Sequence, residues 1–344
     1  MGHFGFVEAG AIGLLQGITE LFPVSSLGHS VLVPAWIGGS WARDLDVSAP
    51  ESPYLAFIVA VHVATAIALI TFYWRDWVRI TRGLAISVRD RQVRTSDQRL
   101  GWLLVIATVP VGVSGLLLEH TFRTTLGKPL SAALFLTVNG GVLLAGERLR
   151  RRNTAPRGPG SAPAPVTTAP ITGRFTAGRP TPTPATGAPE GTTPGSAGPA
   201  PLSVGAAADL AADQELATLS VRGALVVGFA QVAALAPGIS RSGVSMVAGL
   251  VRGLSHEDAA RFAFLLATPV ILAAGLLKLP DLFGPLGNGV RGQTLFGAAV
   301  AGVAAYLSVR FLSRWFETRT LAPFAFYCLA VGFVSVLRFG PFSF

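Results

Sequence analysis

Formal charge is what this chain has least of. Only 13% of its 344 residues are Asp, Glu, Lys or Arg, against about a quarter in soluble domains. That scarcity excludes a charge-coated soluble surface of the usual kind. Cysteine is nearly absent too: Cys328 stands alone inside an apolar run, which excludes a disulfide framework and a metal–thiolate site. The N-terminus lacks a basic region ahead of its first apolar stretch, so no cleavable signal peptide is evident.

What fills the space is hydrocarbon, in uncharged runs long enough to span about 30 Å of bilayer. Residues 55–74, 101–118, 130–146 and 321–337 carry no formal charge, 294–309 is equally clean, and 262–279 carries one lysine near its end. The sequence therefore predicts an all-α polytopic membrane protein. The net charge of +9 does not point to nucleic acid, because of where the arginines fall. Seven lie between Trp74 and Leu100, and Arg148, Arg150, Arg151 and Arg152 follow the run ending at Gly146. Basic residues crowded into alternate loops are the positive-inside signature, which puts both loops in the cytoplasm.

Residues 153–218 are different material. Twelve of the 24 prolines fall between Pro156 and Pro201, among Thr, Ala and Gly. Such a composition buries too little apolar surface to fold and reads as a disordered cytoplasmic linker. It separates a first membrane repeat, 1–152, from a second, 219–344. Each begins with a proline-broken apolar stretch (5–38 and 219–253) followed by three spanning runs. "GLLQGITELFPVSSLGH" and "GFAQVAALAPGISRSG" share Gly, then Gln three residues on, then Pro, then Ser three residues after it. With 75–100 inside, 39–54 and 119–129 lie outside. The first broken stretch then enters from outside and the second from inside. Two re-entrant helical hairpins meeting near the midplane is the inverted-repeat design.

The breakpoints collect the polar residues. The first offers Gln16, Glu20, Ser25, Ser26 and His29; the second offers Gly238, Ser240, Arg241, Ser242 and Ser245. Gln16 and Glu20 share one helix face. An isolated ionisable group in a membrane costs at least ~2.5 kcal/mol at a helix centre. Glu20, His29 and Arg241 are therefore natural partners for one another. Helix N-termini behind Pro23 and Pro237 favour an anion, and arginine adds a bidentate grip on phosphate. A structural ion pair with serines satisfying broken backbone is the bland alternative. His62, inside the 55–74 run, reads as a packing or hydrogen-bonding residue. His3, His120 and His256 carry no signal.

"QGITELFPVSSLGH" together with "PGISRSG" resembles the undecaprenyl-diphosphate phosphatase family, the integral-membrane bacitracin-resistance proteins. The resemblance covers about 1–148 and 219–344. It implies that Ser26 is the nucleophile, that His29 and Glu20 are catalytic, and that Ser240 and Arg241 bind phosphate, with Ser25, Ser242 and Gly238 beside them. Gln16 and Glu20 match the family's (E/Q)xxxE element. A divalent cation, Mg²⁺ or Ca²⁺, is implied with them as ligands. Leu27 and Ser245 stand where threonine is usual. The implied activity is release of phosphate from undecaprenyl diphosphate at the outer face of the bacterial plasma membrane, recycling the lipid carrier of cell-wall synthesis. A homodimer is an assembly open to such a protein.

The residues support that chemistry independently. Ser26 can attack a terminal phosphorus, with His29 or Glu20 accepting its proton, while Arg241 and the half-helix N-termini stabilise phosphoryl charge. The rival reading is a polyprenyl-phosphate flippase or secondary transporter, since inverted repeats with broken helices also serve transport. Ser26 near histidine, carboxylate and arginine favours the enzyme. The linker reading carries its own test. Deleting residues 158–205 should leave turnover within a few-fold of wild type, because disordered linkers contribute little to a packed site. Loss of turnover with normal membrane insertion would contradict it.

Overall fold

The computed structural model describes residues 5–45, 53–154, 216–283 and 289–341. The expected linker, 153–218, lies almost wholly outside the described residues, as does part of the external segment 39–54. Regular structure among the described residues is helical, with no strand. In chain order come α1 (Phe6–Thr19), α2 (Ser26–Ile37), the short α3 (Gly39–Asp44), α4 (Pro53–Phe72), α5 (Trp74–Asp90), α6 (Ser96–Leu126) and α7 (Pro129–Thr154). Beyond the linker follow α8 (Val221–Ala230), a 3₁₀ turn (Gln231–Leu235), α9 (Arg241–Val251), α10 (His256–Phe283), α11 (Arg291–Thr318) and α12 (Ala322–Phe339).

Length sorts these helices. α6, α7, α10, α11 and α12 each hold a window long and apolar enough to cross a membrane, and α4 with α5 adds a sixth, bent by 86° at their junction. α1 and α2 have 14 and 12 residues, and α8 and α9 have 10 and 11. At 1.5 Å per residue the longest of these four reaches only about 21 Å, short of the hydrocarbon thickness. They are half-helices, paired around Pro23 and Pro237. α5 leaves the axis of α4 as an arginine-rich helix whose Trp74, Val78 and Val88 stay exposed. That composition suits a helix lying along the membrane surface.

The half-helices are braced by full-length partners. α1 runs along α11, and α8 runs along α6; α4 pairs with α10, and α7 with α12. This is the contact pattern expected of two equivalent halves, the first half-helix of each hairpin resting on the other half's second long helix. Small residues permit the approach. A Cβ on Gly13 or Gly17 would run into the α11 backbone at Gly297 and Ala301, and one on Gly228 would run into Ala107 of α6. Close backbone approach of this kind is how helices gain packing where lipid offers no hydrophobic drive. The outward faces stay apolar: Leu116, Leu117, Leu276, Leu277 and Leu295 are exposed, as lipid-facing residues must be.

Charged latches close one end of the bundle. Arg261 of α10 donates to Asp76 at the α4–α5 bend (2.8 Å). His256 Nε2 lies 2.7 Å from Glu147, whose same oxygen accepts the Leu321 N–H at 2.7 Å. One carboxylate thus ties the end of α7 to the starts of α10 and α12.

Small-residue packing makes a position-specific prediction. Gly17→Ala should destabilise the protein by about 1–3 kcal/mol through overpacking against α11. Gly141→Ala, in an exposed position with nothing within 4 Å of its added Cβ, should be neutral or slightly stabilising. Thermal midpoints of both variants in detergent check the contrast.

Candidate active site

The two breakpoints meet. The first hairpin turns through Glu20–Val24 and restarts at Ser25, which caps α2 in a left-handed conformation (φ 71°) rare for a residue with a side chain. Its hydroxyl oxygen accepts the Gly28 N–H of its own helix and the Gly238 N–H of the other hairpin, each at 3.2 Å. Gly238 takes φ 112° and packs against the α7 backbone at Ala132 and Leu136, where any side chain would collide. A Cβ on Gly28 would come within 2.8 Å of the Gly238 Cα. The hairpin tips touch at two glycines.

Asn139 of α7 ties the same two tips together. Its amide nitrogen donates to the Pro23 carbonyl (3.0 Å), and its oxygen accepts the Ser240 N–H (3.0 Å). Ser240 caps α9 through the Gly243 N–H (3.1 Å), and its hydroxyl contacts that of Ser242 at 3.0 Å. Ser242 in turn donates to the Phe22 carbonyl (3.2 Å). Backbone groups freed by the broken helices are thereby satisfied by side chains.

Glu20 is the electrostatic centre. One carboxylate oxygen accepts from the Arg241 guanidinium. The other accepts from the Ser26 hydroxyl and from Gln16 Nε2, the latter at 2.9 Å. His62 Nε2 lies 3.4 Å from that second oxygen. The Glu20 side chain is 3% exposed, against 21% for Arg241 and 24% for His62. An approaching ligand therefore meets the arginine and the histidine before the carboxylate.

His29 sits beside this centre. Its Nδ1 lies 2.7 Å from the Ser25 carbonyl and its Nε2 2.8 Å from the Tyr327 hydroxyl, with the two rings stacked. A carbonyl can only accept, so Nδ1 carries the proton and Nε2 of the neutral ring accepts from Tyr327. Of the two proton acceptors expected for Ser26, Glu20 is the one hydrogen-bonded to its hydroxyl.

The structure thus gathers Gln16, Glu20, Ser25, Ser26, Gly238, Ser240, Arg241 and Ser242 in one network, and sets His29 against α12. Ser25 and Ser242 spend their hydroxyls joining the hairpins, and Ser240 spends its own capping α9 and meeting Ser242. Ser245 is buried, with no hydrogen-bond partner for its hydroxyl among the described residues, and both amide atoms of Gln231, the counterpart of Gln16, are in the same position. Three residues escaped the sequence reading. His62, expected to pack or hydrogen-bond, does bond the Ile58 carbonyl through Nδ1 (2.7 Å), but its place beside Glu20 is not foreseen. Asn139 sits within the uncharged run 130–146, where nothing local sets it apart. Tyr327 has no local signal, because its partner lies 298 residues away.

Fitness for a divalent cation can be judged from the donors. Gln16 Oε1 is buried without a hydrogen-bond partner, next to the Glu20 carboxylate. It is the amide nitrogen that faces Glu20 here; with the amide turned over, the two hard oxygens would suit a cation that keeps most of its remaining ligands as water or phosphate. No group of three or more His, Cys, Asp or Glu suited to a metal occurs among the described residues.

Polar groups from two broken helices, converging inside a bundle of membrane-length helices, define a polytopic membrane protein with a site buried between its halves. The chain belongs to the bacitracin resistance protein BacA family, which matches it over residues 9–175 and 201–334. It is 63% identical over 375 residues to the undecaprenyl-diphosphatase 1 of Frankia casuarinae, covering 99% of this chain and 100% of that one. With the undecaprenyl-diphosphatase of Mycolicibacterium paratuberculosis it shares 54% identity over 335 residues, 97% of each chain. With that of Granulibacter bethesdensis it shares 38% over 330 residues, 95% of this chain and 94% of the relative.

Asn139 carries the prediction here. Asn139→Leu strands a buried carbonyl and a buried N–H, each costing about 1–3 kcal/mol. Its thermal midpoint in detergent should fall well below that of Thr137→Val. Thr137 bonds only its own helix, through the Ala133 carbonyl (2.9 Å).

Proposed function

We propose that this protein hydrolyses undecaprenyl diphosphate to undecaprenyl phosphate and inorganic phosphate at the outer face of the bacterial inner membrane. The observation that carries the reading is Glu20, which holds the Ser26 hydroxyl on one oxygen and the Arg241 guanidinium on the other. A nucleophile, its proton acceptor and a phosphate-binding cation thus share one carboxylate. The family and the names of the relatives point to the same reaction. Pure transport would need no hydroxyl on the carboxylate, so the flippase reading is not favoured.

The chemistry follows from the geometry. The terminal phosphate approaches from the exposed side and draws the Arg241 fork onto its oxygens, which frees one face of Glu20. Ser26 Oγ bonds to the terminal phosphorus while the bridging P–O bond breaks, and undecaprenyl phosphate leaves with the bond's electron pair. The Ser26 proton passes to Glu20. Water then attacks the phosphoserine as the Oγ–P bond breaks; Glu20 returns its proton to Ser26 Oγ, and the surplus proton of the water leaves with inorganic phosphate. Arg241 stabilises the charge on the transferring group, an electrostatic role that dominates phosphoryl transfer. His29 fixes the first turn of α2, in which Ser26 stands. Gln16 and Glu20 would hold a Mg²⁺ or Ca²⁺ ion, which neutralises phosphate charge when bound. Two inverted repeats, with hairpins entering from opposite faces, are supported by the shared motif order and by the paired contacts of the two halves.

Phosphate release from undecaprenyl diphosphate by the purified protein tests the reading, since a flippase in detergent releases none. Ser26→Ala should abolish turnover and retain substrate binding; near-normal turnover would favour direct attack by water. Arg241→Lys should stay folded yet lose about 10²–10³-fold in kcat, the scale of a lost transition-state donor, because lysine cannot span two phosphate oxygens.

A further inference from the structure

The last three turns of α11 carry a feature the proposed reaction does not use. Leu307, Arg310, Phe311, Arg314, Trp315 and Thr318 recur at helical three–four spacing and, with Arg319, line an open cavity of about 460 Å³. Leu307 is 58% and Phe311 49% exposed, and Arg310, Arg314 and Arg319 are exposed beside them. None of the three arginines forms a salt bridge among the described residues. Arg319 lies over the Trp315 ring at 5.8 Å, and Phe311 packs on the same ring at 5.6 Å. Like charges four residues apart on a helix repel. Three exposed arginines around an aromatic ring, with Glu317 the only acid exposed among them on this helix end, offer an anion a binding surface.

Its position says which kind. The Tyr73 hydroxyl at the α4–α5 bend lies 3.2 Å from the Ser313 hydroxyl. The end of α11 is therefore level with the arginine-rich α5, on the side that the positive-inside pattern makes cytoplasmic. Free phosphate would satisfy the arginines and leave Leu307, Phe311 and Trp315 bare. A lipid satisfies both at once. We infer that this cavity binds the headgroup of an anionic phospholipid of the cytoplasmic leaflet, its phosphodiester held by Arg310, Arg314 and Arg319 and its acyl chains lying on Phe311 and Leu307. Phe311 also stacks on Phe22 at 5.9 Å, next to Pro23 of the first breakpoint.

The test uses the full chain in phosphatidylcholine nanodiscs doped with brominated phosphatidylglycerol or brominated phosphatidylcholine. Bromine quenches tryptophan on contact, and the Trp315 share is the difference between wild type and Trp315→Phe. Quenching of that share should favour brominated phosphatidylglycerol. Each of Arg310→Gln, Arg314→Gln and Arg319→Gln should weaken the preference by about fivefold, leaving phosphate release from undecaprenyl diphosphate intact. Native mass spectrometry of the same preparations should show phosphatidylglycerol retained by wild type and lost from the triple variant, which keeps the question decidable if Trp315→Phe misfolds. Equal quenching by both lipids overturns the inference. So does abolition of the preference by millimolar inorganic phosphate, which would make the occupant a free anion. A protein partner occupying this face would show as protection of Trp315 from both lipids, and that result also overturns it.

Discussion

Everything in this protein is arranged around one buried carboxylate that two halves of the chain must share. Glu20 belongs to the first hairpin and Arg241 to the second, so the buried carboxylate takes its cationic partner from the other half. Taking one partner from a buried ion pair costs about 3–5 kcal/mol because it strands a charge. The pair therefore locks the two hairpins in register. The same carboxylate holds the Ser26 hydroxyl, the group proposed as the nucleophile.

The membrane imposes the rest. Half-helices cannot cross the bilayer, so each ends inside it with free N–H and C=O groups that no water can satisfy. Ser25 and Ser240 cap their own helices, while Ser25, Ser242 and Asn139 also supply partners across the hairpin boundary. The glycines at 28 and 238 bring the tips close enough for those bonds to form. Backbone satisfaction and site assembly are one requirement here. Long helices brace each half-helix through small residues, leaving the fully apolar faces to lipid.

Much of this was legible in the sequence for physical reasons. Uncharged runs at bilayer length announced the long helices. Pro23 and Pro237 announced the breaks, since proline removes an N–H and ends a helix. Charged and hydroxyl groups at those breaks announced the site, because burial there is costly without function. What stayed hidden was long-range and neutral. Asn139 carries no charge to betray it, and its two partners lie in different halves. His62 reads as a packing or hydrogen-bonding residue, and no local pattern shows that its helix face meets Glu20. The 86° bend at Tyr73 was unreadable, since the apolar run simply gives way to the arginines of α5. The hydroxyls of Ser25, Ser240 and Ser242 could not be divided between holding phosphate and holding backbone until the tips were seen together.

The central claim is that the Glu20–Arg241 pair both joins the halves and belongs to the chemistry. A double-mutant cycle in detergent measures both, reading thermal stability and phosphate release on Glu20→Gln, Arg241→Met and the combined variant. Each single change should lower stability by leaving a charge or its partner unmatched, and the combined change should recover most of it. Activity should not follow: the combined variant should be folded and inactive, because Ser26 has lost its proton acceptor and the phosphate its cation. A combined variant that regains both stability and turnover would reduce the pair to a structural strut and contradict the claim.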